Sequence, residues 1–181
     1  MKYIALLRGI NVGGNNKVEM PKLKKTFEDL GYLNVSTYIN TGNVIFETEE
    51  KNDEMLKKEI EKALKDNFKF EIRVVLRDGK NIEKVCKNIP TKWENNDDMK
   101  TDVLFLWEEF DNKKSLDLIN KKEGIDNLIY VDGAIIWNID RKNYTKSGMN
   151  KFIGSLLYKN MTARNVNTVR KLSELVKMNS K

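Results

Sequence analysis

Over residues 1–77, apolar positions alternate between a strand-like period of two and a helix-like period near 3.6, and the order of these segments admits few folds. Residues 2–8 form a short apolar run that reads as a buried strand, and residues 9–19 a polar loop rich in glycine and asparagine. Met20, Leu23, Phe27 and Leu30 mark one face of a helix, with Pro21 in its first turn and Gly31 as its stop. Residues 34–40 and 44–48 read as strands joined through Thr41-Gly42-Asn43. Leu56, Ile60, Ala63 and Leu64 line a second helix over residues 53–67, and residues 71–77 supply a fourth strand. The order βαββαβ is that of the ferredoxin-like split βαβ unit. It predicts an antiparallel sheet in spatial order 4-1-3-2 with both helices on one face.

The remaining residues, 78–181, follow a looser version of the same order. Asp78-Gly79 marks a turn, and Ile82, Val85 and Ile89 form a short helical stripe. Residues 90–100 are a polar loop in which Trp93 is a candidate exposed anchor. A strand over residues 101–107 aligns Val103, Phe105 and Trp107, and residues 113–120 read as a helix. Residues 125–131 and 134–139 form a hairpin across Asp132-Gly133, a pair suited to a type I′ turn. A helix over residues 150–158 is expected to bury Phe152, Ile153, Leu156 and Leu157, and a last helix from about residue 167 to bury Val169, Leu172 and Val176. The expected class is therefore α+β, with ferredoxin-like halves at 1–77 and 78–181 and added C-terminal helices.

What the chain lacks narrows its chemistry. It has no histidine and a single cysteine, Cys86. Ser-His-Asp and Cys-His catalysis, and zinc sites built on His or Cys, are excluded. One cysteine allows no intrachain disulfide, which suits a reducing, cytoplasmic setting. The longest apolar stretches, residues 4–7 and 103–107, fall far short of the roughly 20 residues a membrane span needs. The adjacent carboxylates Asp97-Asp98 and Glu108-Glu109 point to opposite sides in extended chain and make poor metal or acid–base pairs. No catalytic residue, metal ligand or cofactor is assigned.

Three stretches resemble the mostly bacterial family known as domain of unknown function 1697, DUF1697. They are Ala5-Leu-Leu-Arg-Gly-Ile-Asn-Val-Gly-Gly14, Val35-Ser-Thr-Tyr-Ile-Asn-Thr-Gly-Asn-Val44 and Thr162-Ala-Arg-Asn-Val-Asn-Thr-Val-Arg-Lys-Leu172. Thr41 stands where that family often has serine, and Val166 where it often has tryptophan. The resemblance implies a two-part ferredoxin-like α+β fold and a cytoplasmic bacterial protein. It carries no activity.

Charge and glycine placement point to a candidate site. The net charge is +6, and residues 140–181 hold 10 Lys or Arg against 2 Asp or Glu, which favours an anionic partner. The chain has 27 lysines and 6 arginines, so each arginine marks a position where a planar, forked donor matters. Arg8-Gly-Ile-Asn-Val-Gly-Gly14 leaves a strand towards a helix, where glycine lets backbone N–H groups approach a phosphate. It lacks the spacing of a Walker A or dinucleotide fingerprint, and a loop whose glycines merely need positive φ explains it as well. A right-handed crossover makes the first two strands parallel, so this loop and the Thr41-Gly42-Asn43 turn share one sheet edge. The candidate ligand site is thus Arg8, Asn11, Gly13, Gly14, Thr41 and Asn43, with Lys146, Ser147, Arg164 and Asn165 as a second wall. The expected ligand is a phosphorylated small molecule or nucleic acid. The alternatives are a metal-independent enzyme working through carboxylates or electrostatics, and an interaction module offering a bare sheet.

Overall fold

Five consecutive residues, Tyr3 to Leu7, are buried, so strand β1 (Lys2–Leu7) has to be covered on both faces and paired on both edges. In the computed structural model β1 lies between β3 (Asn43–Glu47) and β4 (Val74–Asp78), antiparallel to both, with β2 (Leu33–Tyr38) beyond β3. The order β2-β3-β1-β4 is the 4-1-3-2 arrangement expected of the split βαβ unit. The structure describes residues 1–50 and 52–178, which divide into a unit Met1–Gly79 and a second unit starting at Lys80.

Two helices cover one face of this first sheet. Helix α1 (Met20–Asp29) has Pro21 in its first turn and buries Leu23 and Phe27. Helix α2 (Asp53–Phe68) is capped by Asn52, whose side chain accepts the Met55 N–H at 3.0 Å, and buries Leu56, Ile60 and Leu64. These five side chains share a core with Tyr3, Ala5, Leu7, Val44, Phe46, Val74 and Leu76, and Met20 and Leu30 pack at its margin. The opposite face, with Ile4, Leu6, Ile45 and Val75, is equally closed to solvent.

The second sheet repeats the first. Its strands are β5 (Met99–Leu106), β6 (Asn127–Val131), β7 (Ala134–Asp140) and β8 (Met161–Asn165), in the order β6-β7-β5-β8. Helices α3 (Gly79–Lys87) and α5 (Val166–Met178) follow β4 and β8, and α5 lies against β5 and β8. Strand β8 lies just before the last helix, between the two helices expected from the sequence. That sequence, Met-Thr-Ala-Arg-Asn, is extended because it pairs with β5.

The expected helix over residues 150–158 breaks up. It is replaced by a 3-10 turn, Gly148–Lys151, and a single α-turn, α4 (Leu156–Lys159). Gly154, at φ 87°, interrupts the run between them. Phe152 and Leu157 are buried as expected, while Ile153 and Leu156 are exposed. The segment Lys113–Leu118 is likewise 3-10. Short turns bearing Ile119, Met149, Phe152 and Leu157 thus cover the face that α1 and α2 cover in the first unit. Trp93 is buried rather than an exposed anchor. Of the Asp132-Gly133 pair, Gly133 alone takes positive φ, 93°, so the turn is not type I′.

The repetition extends to individual backbone bonds. Leu7 N–H donates to Gly42 O at 2.8 Å, and Leu106 N–H to Gly133 O at 3.0 Å. Arg8 N–H donates to Arg73 O at 3.0 Å, and Trp107 N–H to Asn160 O at 3.1 Å. Arg77 stands opposite Ile4, and Arg164 opposite Val103. Each of these two guanidiniums donates to the carbonyl of the residue before it, at 2.8 Å to Leu76 and 2.7 Å to Ala163. Among the described residues no helix is long and apolar enough to cross a membrane.

Candidate functional site

The glycine-rich loop after β1 folds back on itself as a small hairpin. Asn11 N–H donates to Asn16 O and Asn15 N–H to Val12 O, both at 3.0 Å. Gly13 (φ 58°) and Gly14 (φ 79°) form its tip, both left-handed as a type I′ turn requires. A Cβ on either would meet nothing within 4 Å, so these glycines are there for turn geometry, not for close backbone approach to a neighbour. Asn11 holds the base of the hairpin. Its Oδ1 accepts the Val18 N–H at 2.8 Å, and its Nδ2 donates to Val18 O at 3.0 Å and to Asn40 O at 2.8 Å. The last bond ties the hairpin to the turn after β2, the adjacency that the crossover argument predicts.

That turn, residues 39–42, is held from below. Asn43 is buried, and its Nδ2 donates to Tyr38 O at 2.8 Å and to Thr41 Oγ1 at 3.1 Å. Ile39 sits at φ 51°, a left-handed conformation that a β-branched residue adopts under strain, and it is 44% exposed. Gly42, at φ 84°, lies against Leu7 and Ile10, where a Cβ would fall 2.8 Å from Leu7 Cβ and 2.7 Å from Ile10 Cδ1. Gly42→Ala should therefore cost about 2–5 kcal/mol, combining left-handed strain with overpacking. Gly13→Ala, strained but unobstructed, should cost about 1–2 kcal/mol. Equal losses for the two variants in urea unfolding would remove the steric part of this account.

Arg8 is half-buried and leads into the hairpin. Its N–H bond to Arg73 O continues the β1–β4 register by one step, so the two arginines stand directly opposite on one side of the sheet. Like charges at such positions repel. The second unit shows what the fold itself requires there: the corresponding residues are Trp107 and Asn160, and the same backbone bond forms. Arg73 is not among the sequence candidates, although its rarity in a lysine-rich chain is a signal that could have found it.

The proposed second wall lies in the second unit, and three of its four residues, Ser147, Arg164 and Asn165, are engaged in its scaffold. Lys146 is exposed at the end of the 3-10 turn Arg141–Lys146. Ser147 is buried, and its Oγ accepts the Met149 N–H at 2.9 Å while donating to Asp126 Oδ1. Asn165 caps α5 by accepting the Thr168 N–H at 2.9 Å. Arg164 is buried, and burial pushes its pKa down to about 10. Its guanidinium donates to Thr162 Oγ1 at 2.9 Å as well as to Ala163 O. Because Arg77 repeats the carbonyl bond in the first unit, this role belongs to the fold.

Asp126 is the buried polar centre of the second unit, and nothing in its sequence surroundings announces it. Its carboxylate accepts from Ser147 Oγ, from Trp137 Nε1 at 2.9 Å, and from the N–H groups of Gly148 at 2.9 Å and Lys122 at 2.7 Å. Burial pushes its pKa up, but these four donors outweigh that and hold the carboxyl below its ordinary range. Gly148 is confined as well: a Cβ there would lie 2.2 Å from Asn120 O.

A family model described as "Protein of unknown function (DUF1697)" matches residues 1–137. Among solved structures, the conserved bacterial protein SP0830 from Streptococcus pneumoniae is similar over nearly all of both chains, 97% of this one and 98% of that one. The TM-score is 0.82 at 27% identity. No curated protein matches.

Proposed function

The chain belongs to the DUF1697 family of proteins of unknown function, and from that starting point we propose that it is a binding protein for a phosphate-bearing ligand, held at the edge of the first sheet. One observation carries the reading. Arg8 and Arg73 face each other at the end of β1 and β4, where the equivalent positions of the second unit are tryptophan and asparagine. Two like charges placed opposite each other at a sheet end suit an anion between them, and the guanidinium fork suits phosphate. The hairpin of residues 11–16 and the strained turn at Ile39 border the same edge.

The edge is open: Val12, Gly13, Gly14 and Thr41 are all exposed. Small-molecule sites are usually concave and enclose most of the ligand, so an extended phosphate chain, a nucleic acid, is the favoured form. Arg8, Arg73, Asn11, Thr41 and Asn43 make up the proposed site with the Gly13-Gly14 tip. Lys146, Ser147, Arg164 and Asn165 are left out of it. The compartment proposed is the cytoplasm, in keeping with a lone free cysteine.

A thermal-shift screen of nucleotides, phosphosugars and short oligonucleotides tests the proposal. A ligand at 100 times its Kd adds about 2.7 kcal/mol of stability. Arg8→Lys should leave the melting temperature unchanged and reduce that stabilisation. For an oligonucleotide, the charge-removing change Arg8→Gln should also make the slope of log K against log salt shallower by about 0.9 for each phosphate no longer neutralised. A melting temperature that falls without ligand would make Arg8 structural, and the proposal would fail.

A further inference from the structure

Independently of that edge, we propose that the second unit carries a mononucleotide site in the cleft formed by Lys100, Arg141 and Tyr144. The cleft has a volume of about 430 Å³, within the range of small-ligand sites. Arg141 and Tyr144 lie three residues apart in the 3-10 turn Arg141–Lys146. With three residues per turn, side chains at that spacing eclipse one another, so guanidinium and ring emerge on the same side. The turn is rigid, because Ser147 N–H closes it onto Asn143 O and Tyr144 O, and Ser147 Oγ is bound to buried Asp126.

The charge on Arg141 remains available to a ligand. Its Nε donates to Asn96 O at 2.5 Å and its Nη2 to Asn95 Oδ1 at 3.1 Å. Both acceptors are neutral amide oxygens, which aim the guanidinium without cancelling it and leave donors for a phosphate. Lys100 lines the same cleft with its ammonium paired to Asp102 at 2.7 Å, so Arg141 supplies the main contact to the phosphate. Tyr144 presents a partly exposed ring, and stacking on an aromatic face accepts any base.

The neighbouring cleft sets the limit on ligand charge. It is lined by Asp97, Asp98, Asp140 and Lys142, three carboxylates against one ammonium. A phosphate chain leaving the Arg141 site in that direction would meet like charge, so a single phosphate on a nucleoside fits better than a polynucleotide or a triphosphate.

Calorimetric titration of the full chain with adenosine monophosphate, adenosine and inorganic phosphate tests the site. The monophosphate should bind at least tenfold more tightly than either fragment. Tyr144→Ala should weaken it five- to a hundredfold, because one base no longer stacks on a ring. Arg141→Lys should weaken it about tenfold, while the exposed Lys151→Gln change leaves it unaltered, and all three variants keep the parent melting temperature. Absence of binding, equal binding of phosphate alone, or indifference to both Tyr144→Ala and Arg141→Lys would overturn the proposal.

Discussion

Replacing Asp126 with alanine should destabilise the second unit by about 3–5 kcal/mol, the range for removing one partner from a buried charged network. Four donors converge on this carboxylate, and three of the bonds, from Trp137, Ser147 and Gly148, are buried away from water. Each buried donor left without an acceptor costs about 1–3 kcal/mol, partly offset because a buried charge no longer has to be desolvated. Asp126→Asn keeps the shape but puts an N–H₂ among donors, so it should recover less than half of the loss. Trp137 donates to Asp126 and all three tryptophans lie in the second unit, so tryptophan fluorescence in urea reports the effect directly.

The same site has a pH signature of definite sign. The folded pKa is lowered from 3.8, so the stabilisation is complete above that value and is lost as pH falls through the folded value. The Asp126→Ala variant should therefore show a weaker acid limb than the parent. A midpoint shift equivalent to less than about 1 kcal/mol would mean that the four hydrogen bonds are replaced by water.

Phe27→Ala should cost the first unit about 3–5 kcal/mol, the usual range for emptying a buried aromatic site. Phe27 is fully buried, with its ring 5.4 Å from that of Phe46 and 6.1 Å from that of Tyr32. Phe46 also stacks on Tyr32 at 4.6 Å and on Tyr3 at 5.8 Å, so the cavity would open inside an aromatic cluster joining α1 to β1 and β3. Those neighbours are pinned: the Tyr32 hydroxyl donates to Glu59 at 2.6 Å and the Tyr3 hydroxyl to Asp53 at 3.0 Å. They cannot collapse into the space without breaking these bonds.

The measurement is the urea midpoint by circular dichroism, with an unchanged slope. Met55→Ala on the exposed side of α2 should shift stability by less than about 0.5 kcal/mol. A Phe27→Ala loss as small as that control would disprove the packing account. Because the first unit has no tryptophan, comparing dichroism with fluorescence also tells whether the two units unfold together.

Periodicity alone determined the first unit. The stripe Met20, Leu23, Phe27 and Leu30 and the buried run at β1 are local patterns, and short connections leave one sheet order for them. The second unit was less legible because its covering layer is not helical. Phe152 and Leu157 carry the burial that a helix would share among more residues, and Gly154 breaks the run, so the 3.6-residue stripe misled. Strand β8 is short and its polar positions Thr162 and Arg164 are buried, through bonds to each other and to backbone rather than through apolarity.

At the candidate site, sequence determined adjacency: a right-handed crossover brings the Arg8 loop to the Thr41-Gly42-Asn43 turn whatever the side chains do. What each arginine meets was decided by tertiary pairing. Arg164 and Arg8 look alike in a lysine-rich chain, yet one repeats the carbonyl bond of Arg77 while the other faces Arg73 across two strands. Asp126 looks like any surface aspartate, and its four donors come from residues 122, 137, 147 and 148. Local patterns encode which face of an element is buried, because burial follows the element's own period. The partner of a polar group comes from wherever the chain returns, and only the folded arrangement brings it there.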